Sequence, residues 1–365
     1  MYKIRYRKNF DPLLIILPLA ICVIGLFFLY SASRGMQELK GMDFMSRQAA
    51  WILVGLLLLV LTINVDFRRI LDWSYLYYFV IVLVLAALLA FGGSKMGARR
   101  WLNLGWIVFQ PSEFSKLALI LALAFYLGNN RFSARGLKTY IGAFLITGIL
   151  FMLIVGEPDL GSAIALLPVL FAILLAAEAP FKFIFGSILL GAAASPMFWN
   201  FLKDYQKRRL LVFLNPDMDP LGAGYTIIQS KIAIGSGGLF GRGWMSGTQN
   251  QLNFLPERHT DFIFSVVGEE WGFMGSILVI GLFCLLIARI LAVGERTNDF
   301  YGRLVVAGVA GLISFQAIVN IAMTAGFMPV VGLPLPFISY GGSSLITTWL
   351  CIALVINIDM RRTIF

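Results

Sequence analysis

Charged side chains set inside long apolar runs are the first candidates for chemistry in this chain, because hydrocarbon tolerates them only where pairing or function requires it. Three stretches supply them. FQPSEFSKL at 109–117 starts a helix with Pro111 near its first turn, Glu113 in that turn and Lys116 three residues on, facing the same side. EPDLGSA at 157–163 puts Asp159 at a second helix start, where a Lys116–Asp159 pair would satisfy both charges at similar depth. Such a pair either locks two helices together or lines a polar cavity. LPERHTDFIFSVVGEE at 255–270 carries Arg258, His259, Asp261, Glu269 and Glu270. At a helical turn of 100° per residue, Glu269 and Glu270 are rotated from Asp261 by about 80° and 180°. Glu269 is therefore expected to share the Asp261 side and Glu270 to meet a neighbouring helix. The ligand these residues suit is anionic: positive helix ends, with Arg99, Arg100, Lys116, Arg242 and Arg258 near them in sequence, fit a phosphate or diphosphate. Attraction to anionic lipid headgroups is the competing explanation.

The elements that must position these groups are membrane helices. Of 365 residues, 59% are apolar and 13% charged, and the mean hydropathy is +0.85. Those values exclude a water-soluble enzyme, a disordered chain and a coiled coil. A hydrocarbon core of roughly 30 Å needs about 20 helical residues. Ten apolar stretches meet that length, near 13–31, 48–64, 75–92, 112–128, 139–156, 160–177, 182–200, 262–288, 304–324 and 341–358. The first follows Lys3, Arg5, Arg7 and Lys8, yet it is longer than a signal-peptide core and is read as a span. The expected fold is an all-α integral membrane protein, one transmembrane domain over 1–365, with a large extracytoplasmic loop at 201–261 between helices 7 and 8.

Basic residues then report topology. With a cytoplasmic N-terminus, fifteen Lys and Arg fall in inside segments and six in the short outside loops, the bias expected of cytoplasmic loops. Both termini are thus expected inside. The outer face receives the 201–261 loop, the 92–111 loop, the GEPD turn at 156–159 and the uncharged segment 325–342. The net charge of +10 is accounted for by topology, so nucleic acid is not an expected partner.

Other motifs carry less. Asp217-x-Asp219 lies between Pro216 and Pro220 and reads as a turn more readily than as a metal site. GSGGLFGRG at 235–243 lacks the Gly-Lys-Ser/Thr ending of a phosphate loop and reads as flexible or close-packed backbone. His259 is the one histidine, with no triad spacing around it. Cys22, Cys284 and Cys351 sit within apolar runs and read as small hydrophobes. No metal site is expected from spacing.

The strings GARRWLNLG, FQPSEFSKL, EPDLGSA, NPDMDPLGAGYTIIQSKIAIGSGGLFGRGW, FLPERHTDFIFSVVGEE and GLPLPFISYGGSS, in this order, resemble the SEDS family (shape, elongation, division and sporulation) over nearly the whole chain. GTQNQLNFLPERHTDFIF is closer to the elongation branch than to the division branch. The resemblance implies a peptidoglycan glycosyltransferase that polymerises lipid II at the outer face of the bacterial inner membrane. It implies as partners a class B penicillin-binding transpeptidase and the elongation machinery. It places the family's essential aspartate at Asp261 and its polar cavity pair at Lys116 and Asp159. Glu113, Arg99, Arg100, Trp101, Arg258, His259 and Glu269 are expected to line that cavity. In this reading Asp261 is the general base toward a sugar hydroxyl, and Arg99, Arg100, Lys116 or Arg258 offset the departing diphosphate. No cofactor is required, although Mg or Mn could share the last task. Two other readings stand beside it: a flippase for a lipid-linked precursor, and a scaffold activating a partner enzyme, with Asp261 only a helix N-cap.

Overall fold

The computed structural model describes residues 10–40, 43–91, 101–103, 108–130, 136–215, 218–219 and 222–361. Among them the chain forms fourteen α-helices. α1 (Leu13–Lys40) and α2 (Phe44–Asn64) lead through a short α3 (Phe67–Asp72) to α4 (Ser74–Phe91). α5 (Pro111–Asn129), α6 (Leu137–Gly156), α7 (Leu160–Ala176) and α8 (Phe181–Phe198) follow. The next segment holds α9 (Asp204–Leu214), α10 (Ala223–Ser236) and α11 (Thr248–Gln251), so the expected 201–261 loop contains three helices. α12 (Ile263–Arg296), α13 (Phe300–Thr324) and α14 (Gly342–Arg361) complete the order. The only sheet among the described residues is an antiparallel ribbon, β1 (Leu102–Asn103) against β2 (Val108–Phe109).

Each apolar stretch read from the sequence falls on one of these helices. Eight are long and apolar enough to cross a membrane; α7 and α8 are apolar but shorter. α5 and α14 are buried along most of their length, because α5 packs on α4, α7 and α13, and α14 on α2 and α13. The outer helices turn apolar side chains outward, among them Leu53 and Leu57 of α2, Leu145 of α6 and Leu190 of α8. That surface suits lipid. Between helices that meet in lipid, close packing has to replace the hydrophobic effect. Gly55 of α2 accordingly lies against Trp349 of α14, where an added Cβ would stand 2.4 Å from Cδ1 of the ring.

α12 departs from the continuous helix expected. At Gly272 the backbone turns to φ 65°, ψ −154° and the helix is broken. The groups this break frees are satisfied by the glycine-rich segment: Phe273 N–H donates to Gly238 O (2.9 Å) and Met274 N–H to Leu239 O (3.1 Å). In return Arg242 N–H donates to Glu269 O (3.0 Å) and Gly243 N–H to Glu270 O (3.1 Å). Backbones approach this closely only without side chains. A Cβ on Gly237 would stand 1.9 Å from Gly268 O, and one on Gly241 2.1 Å from Glu270 O. GSGGLFGRG is thus the close-packed alternative of the two expected for it, a strap across a broken helix.

Candidate active site

Asp261 sits in a turn just before α12, its N–H donating to Glu257 O at 3.1 Å. The N-cap of α12 is Phe262, which makes no side-chain cap, so the expectation of Asp261 as a mere helix cap does not hold. Asp261, Glu257 and Pro256 line a cavity of about 160 Å³, closed by Arg209 and Val212 of α9, Thr226 and Ile227 of α10, and Val330. Beside Asp261 and Arg209 lies Gly332, which has φ +75°. A Cβ there would stand 3.4 Å from Asp261 Oδ2 and 3.9 Å from Arg209 Nη1. Arg209 is aimed by Nη1 donating to Val330 O at 3.3 Å and by the Tyr205 ring, 5.9 Å from its guanidinium carbon. Tyr205 is anchored in turn, its hydroxyl donating to Pro158 O at 2.7 Å.

The segment between α13 and α14 ties this cavity to the bundle. Gly161, in the first turn of α7, lets it close in: a Cβ there would meet Val331 O at 2.5 Å. Asn320 of α13 donates from Nδ2 to Asp261 O (3.0 Å) and to Leu333 O (2.7 Å). Ser339 Oγ donates to Thr260 O at 2.6 Å and Tyr340 N–H to His259 O at 2.9 Å. Gln48 of α2 donates from Nε2 to Ser339 O at 3.1 Å. The uncharged Pro/Gly stretch is therefore the wall shared by α2, α7, α13 and the turn before α12.

A second polar cluster sits where α5, α7 and α14 begin. Asp159 caps α7 by accepting from Ser162 N–H (3.3 Å), and also accepts from Gln110 Nε2 (3.1 Å) and Ser112 Oγ (3.0 Å). Gln110 N–H donates to Ser343 Oγ of α14 at 3.1 Å. The starts of these helices converge as expected, which collects positive dipole ends at one place. The expected Lys116–Asp159 pair is not formed. Lys116 Nζ pairs instead with Glu113 Oε1 at 2.5 Å, both side chains buried. Neighbours one turn apart on a helix reach each other without any movement of α7.

The expectations for Glu269 and Arg258 change, whereas Glu270 meets a neighbouring helix and Asp219 lies in a turn as expected. Glu269 does not face the Asp261 cavity: it accepts from Gln249 N–H (2.8 Å) and Asn250 N–H (3.2 Å), holding α11. Glu270 meets α1, accepting from Ser31 Oγ, and from Asn250 Nδ2 at 3.0 Å. Arg258 is buried, with Nε donating to Ala32 O at 2.6 Å and Nη2 to Asn253 Oδ1. Burial lowers its guanidinium pKa from the usual value, and it pins the loop to α1 instead of facing a ligand. His259 packs between Phe44 (4.9 Å between centroids) and Tyr340 (6.2 Å). Arg242 reaches Thr248 Oγ1 at 2.9 Å. Trp101 is exposed beside β1; Arg99, Arg100 and Asp217 lie outside the described residues. Asp219 forms a turn, its carbonyl accepting from Gly222 and Gly224 N–H.

Arg209, which lines the cavity, and Asn320, which bonds to Asp261 O, were not singled out in the sequence. Arg209 stood among Lys207 and Arg208 with nothing to distinguish it. Asn320 did carry a signal, as one of two amides, with Gln316, in the otherwise apolar run FQAIVNIAM. A further groove of about 1050 Å³ runs along α12 and α13, lined by Ser276, Phe283, Cys284, Ala288, Ala317 and Ile321 among others.

A family profile described as a cell cycle protein, FtsW/RodA/SpoVE, matches residues 12–364. Peptidoglycan glycosyltransferase MrdB of Escherichia coli (strain K12) is 40% identical over 98% of this chain and 95% of its own length. Peptidoglycan glycosyltransferase RodA of Treponema pallidum is 33% identical over 99% of this chain and 100% of its own. Among solved structures, a chain of a peptidoglycan synthase complex described as coordinating polymerization and crosslinking superposes with a TM-score of 0.83 at 37% identity, covering 97% of this chain and 99% of that one. The rod shape determining protein RodA of Thermus thermophilus gives 0.71 at 32% identity over 98% of both chains.

Proposed function

The chain belongs to the FtsW/RodA/SpoVE family, and on that premise we propose that its glycan-polymerising centre is the cavity between Asp261 and Arg209. It is an integral membrane protein and a peptidoglycan glycosyltransferase of the elongation type. The substrate we assign is lipid II, taken at the outer face of the inner membrane with both termini in the cytoplasm. The basic residues of the inside segments support that orientation.

The chemistry follows from what the cavity holds. A sugar hydroxyl of one lipid-linked molecule attacks the anomeric carbon of another. The new C–O bond forms as the bond to diphosphate breaks, and one displacement inverts the α-anomer to a β-linkage. Asp261 accepts the hydroxyl proton, help worth about 10²–10⁴-fold. Diphosphate leaves without needing a proton, so a second catalytic carboxylic acid is not required, unlike glycoside hydrolysis. Its developing charge needs a cation placed in advance. Arg209 takes the part that the sequence suggested for Arg258 or Lys116, because it faces the cavity and they do not. Among the described residues no three His, Cys, Asp or Glu are grouped to hold a metal ion. A divalent cation such as Mg or Mn would have to rest on Asp261, Glu257 and the substrate's own phosphates, a carboxylate-plus-phosphate set that suits Mg.

The partner we assign is a class B penicillin-binding transpeptidase. The groove along α12 and α13 is apolar, and Ser276, Ala288 and Ala317 are small enough to let another transmembrane helix approach.

The observation that carries this reading is the common approach of the Asp261 carboxylate and the Arg209 guanidinium to Gly332. The test is glycan polymerisation from lipid II by the purified protein with its partner, wild type against Asp261→Asn. A rate lowered about 10²–10⁴-fold is expected. Equal polymer from both proteins removes the assignment, and transport of lipid II without polymer would favour a flippase.

A further inference from the structure

Asn320 lies one turn from the end of α13 and its side chain is fully buried. Volume alone does not call for an amide there, since its helix neighbours Val319 and Met323 are buried apolar residues. A buried amide in an apolar helix is costly unless its protons are used. Both protons of Asn320 are used, and on carbonyls from two different walls of the Asp261 cavity: Asp261 O at 3.0 Å and Leu333 O at 2.7 Å. Neither carbonyl belongs to a helix.

The wall carrying Leu333 also carries Gly332, against Asp261 Oδ2, and Val330, whose carbonyl receives Arg209 Nη1 at 3.3 Å. A single amide therefore fixes the main chain of the proposed base to the wall that aims the proposed cation. We infer that Asn320 is a positioning residue that sets the separation of the Asp261 carboxylate and the Arg209 guanidinium. Hydroxyl and diphosphate must both fit that gap, and a displacement of about 1 Å in such a site costs on the order of 10²-fold in rate. This inference rests on Asp261 being the base.

The test uses the full chain with its transpeptidase partner, wild type against Asn320→Ala, and reads polymerisation kinetics, thermal unfolding and hydrogen–deuterium exchange. Expected is a kcat lower by about 10- to 100-fold with KM for lipid II within about twofold. The unfolding temperature stays near that of wild type, and exchange quickens in 257–262 and 330–334 while the rest of α13 is unchanged. A kcat within about threefold of wild type, or a fall in kcat with unaltered exchange in those two segments, overturns the inference. If Asn320→Ala does not purify, Asn320→Asp serves, being the same size with an acceptor oxygen where Nδ2 donates. Retained kcat in that variant overturns the inference, and lost kcat with the same quickening of exchange in 257–262 and 330–334 supports it. Asp261→Asn is run alongside: wild-type polymerisation by that variant overturns the role of Asp261 itself, whereas the Asn320 clamp is read from exchange independently.

Discussion

The carboxylate of Asp261 and the guanidinium of Arg209 have one neighbour in common, the α-carbon of Gly332, where a methyl group would stand 3.4 Å from Oδ2 and 3.9 Å from Nη1. The two groups come from the turn before α12 and from α9. On the proposed reading, the missing side chain at Gly332 leaves room beside both charges for a hydroxyl and a diphosphate.

Arg209→Ala should lower polymerisation by about 10²-fold or more, the scale on which removing one preorganised charge stabiliser acts. Arg209→Lys keeps the charge but loses the planar fork that donates to two phosphate oxygens together, so it should recover only part of the rate. Initial rates across a range of lipid II concentrations check this. Full activity in both variants would exclude Arg209 from the reaction.

Gly332→Ala tests the gap itself. At φ +75° an alanine costs about 1–2 kcal/mol in backbone strain, and its methyl group intrudes beside Asp261. Thermal unfolding should show the modest loss, and polymerisation a much larger one. Parallel small losses in both would mean that the space above Gly332 is not used by substrate.

The Glu113–Lys116 pair should behave as a buried ion pair. Glu113→Leu alone leaves a fully buried ammonium without its counter-charge, a change that costs about 3–5 kcal/mol. Glu113→Leu with Lys116→Met should restore most of the stability, since apolar replacement of both partners is often neutral. Unfolding temperatures in detergent read this directly. If the double variant is as unstable as the single one, the charges are supporting more than each other.

Gly241→Ala should prevent the strap from closing over the break in α12. Its Cβ would fall 2.1 Å from Glu270 O, at a residue with φ +82°, and backbone cannot move aside as a flexible side chain can. We expect a sharp drop in folded yield and faster proteolysis near residues 237–254. Gly235→Ala is the control, because a Cβ there meets nothing within 4 Å.

The sequence by itself determined the long apolar helices and the fold class. Partition into hydrocarbon is summed over about 20 consecutive residues, so the apolar stretches, their number and the chemical character of their charged joints could be read locally. Asp261 was legible for the same reason, as an acid at the mouth of such a stretch, and the motif strings fixed the family. Tertiary structure alone decided which charges meet. Lys116 joins Glu113 and not Asp159 because a partner one turn away is already in reach, whereas a partner on α7 depends on how two helices are rotated. Glu269 was misjudged because the 100° step was counted from Asp261, which lies in the turn ahead of Ile263 where α12 begins, and because the Gln249 and Asn250 N–H groups of α11 take its carboxylate. Arg209 and Asn320 acquire their places only when α9, α13 and the segment before α14 close around one turn. No local property of the chain encodes that contact.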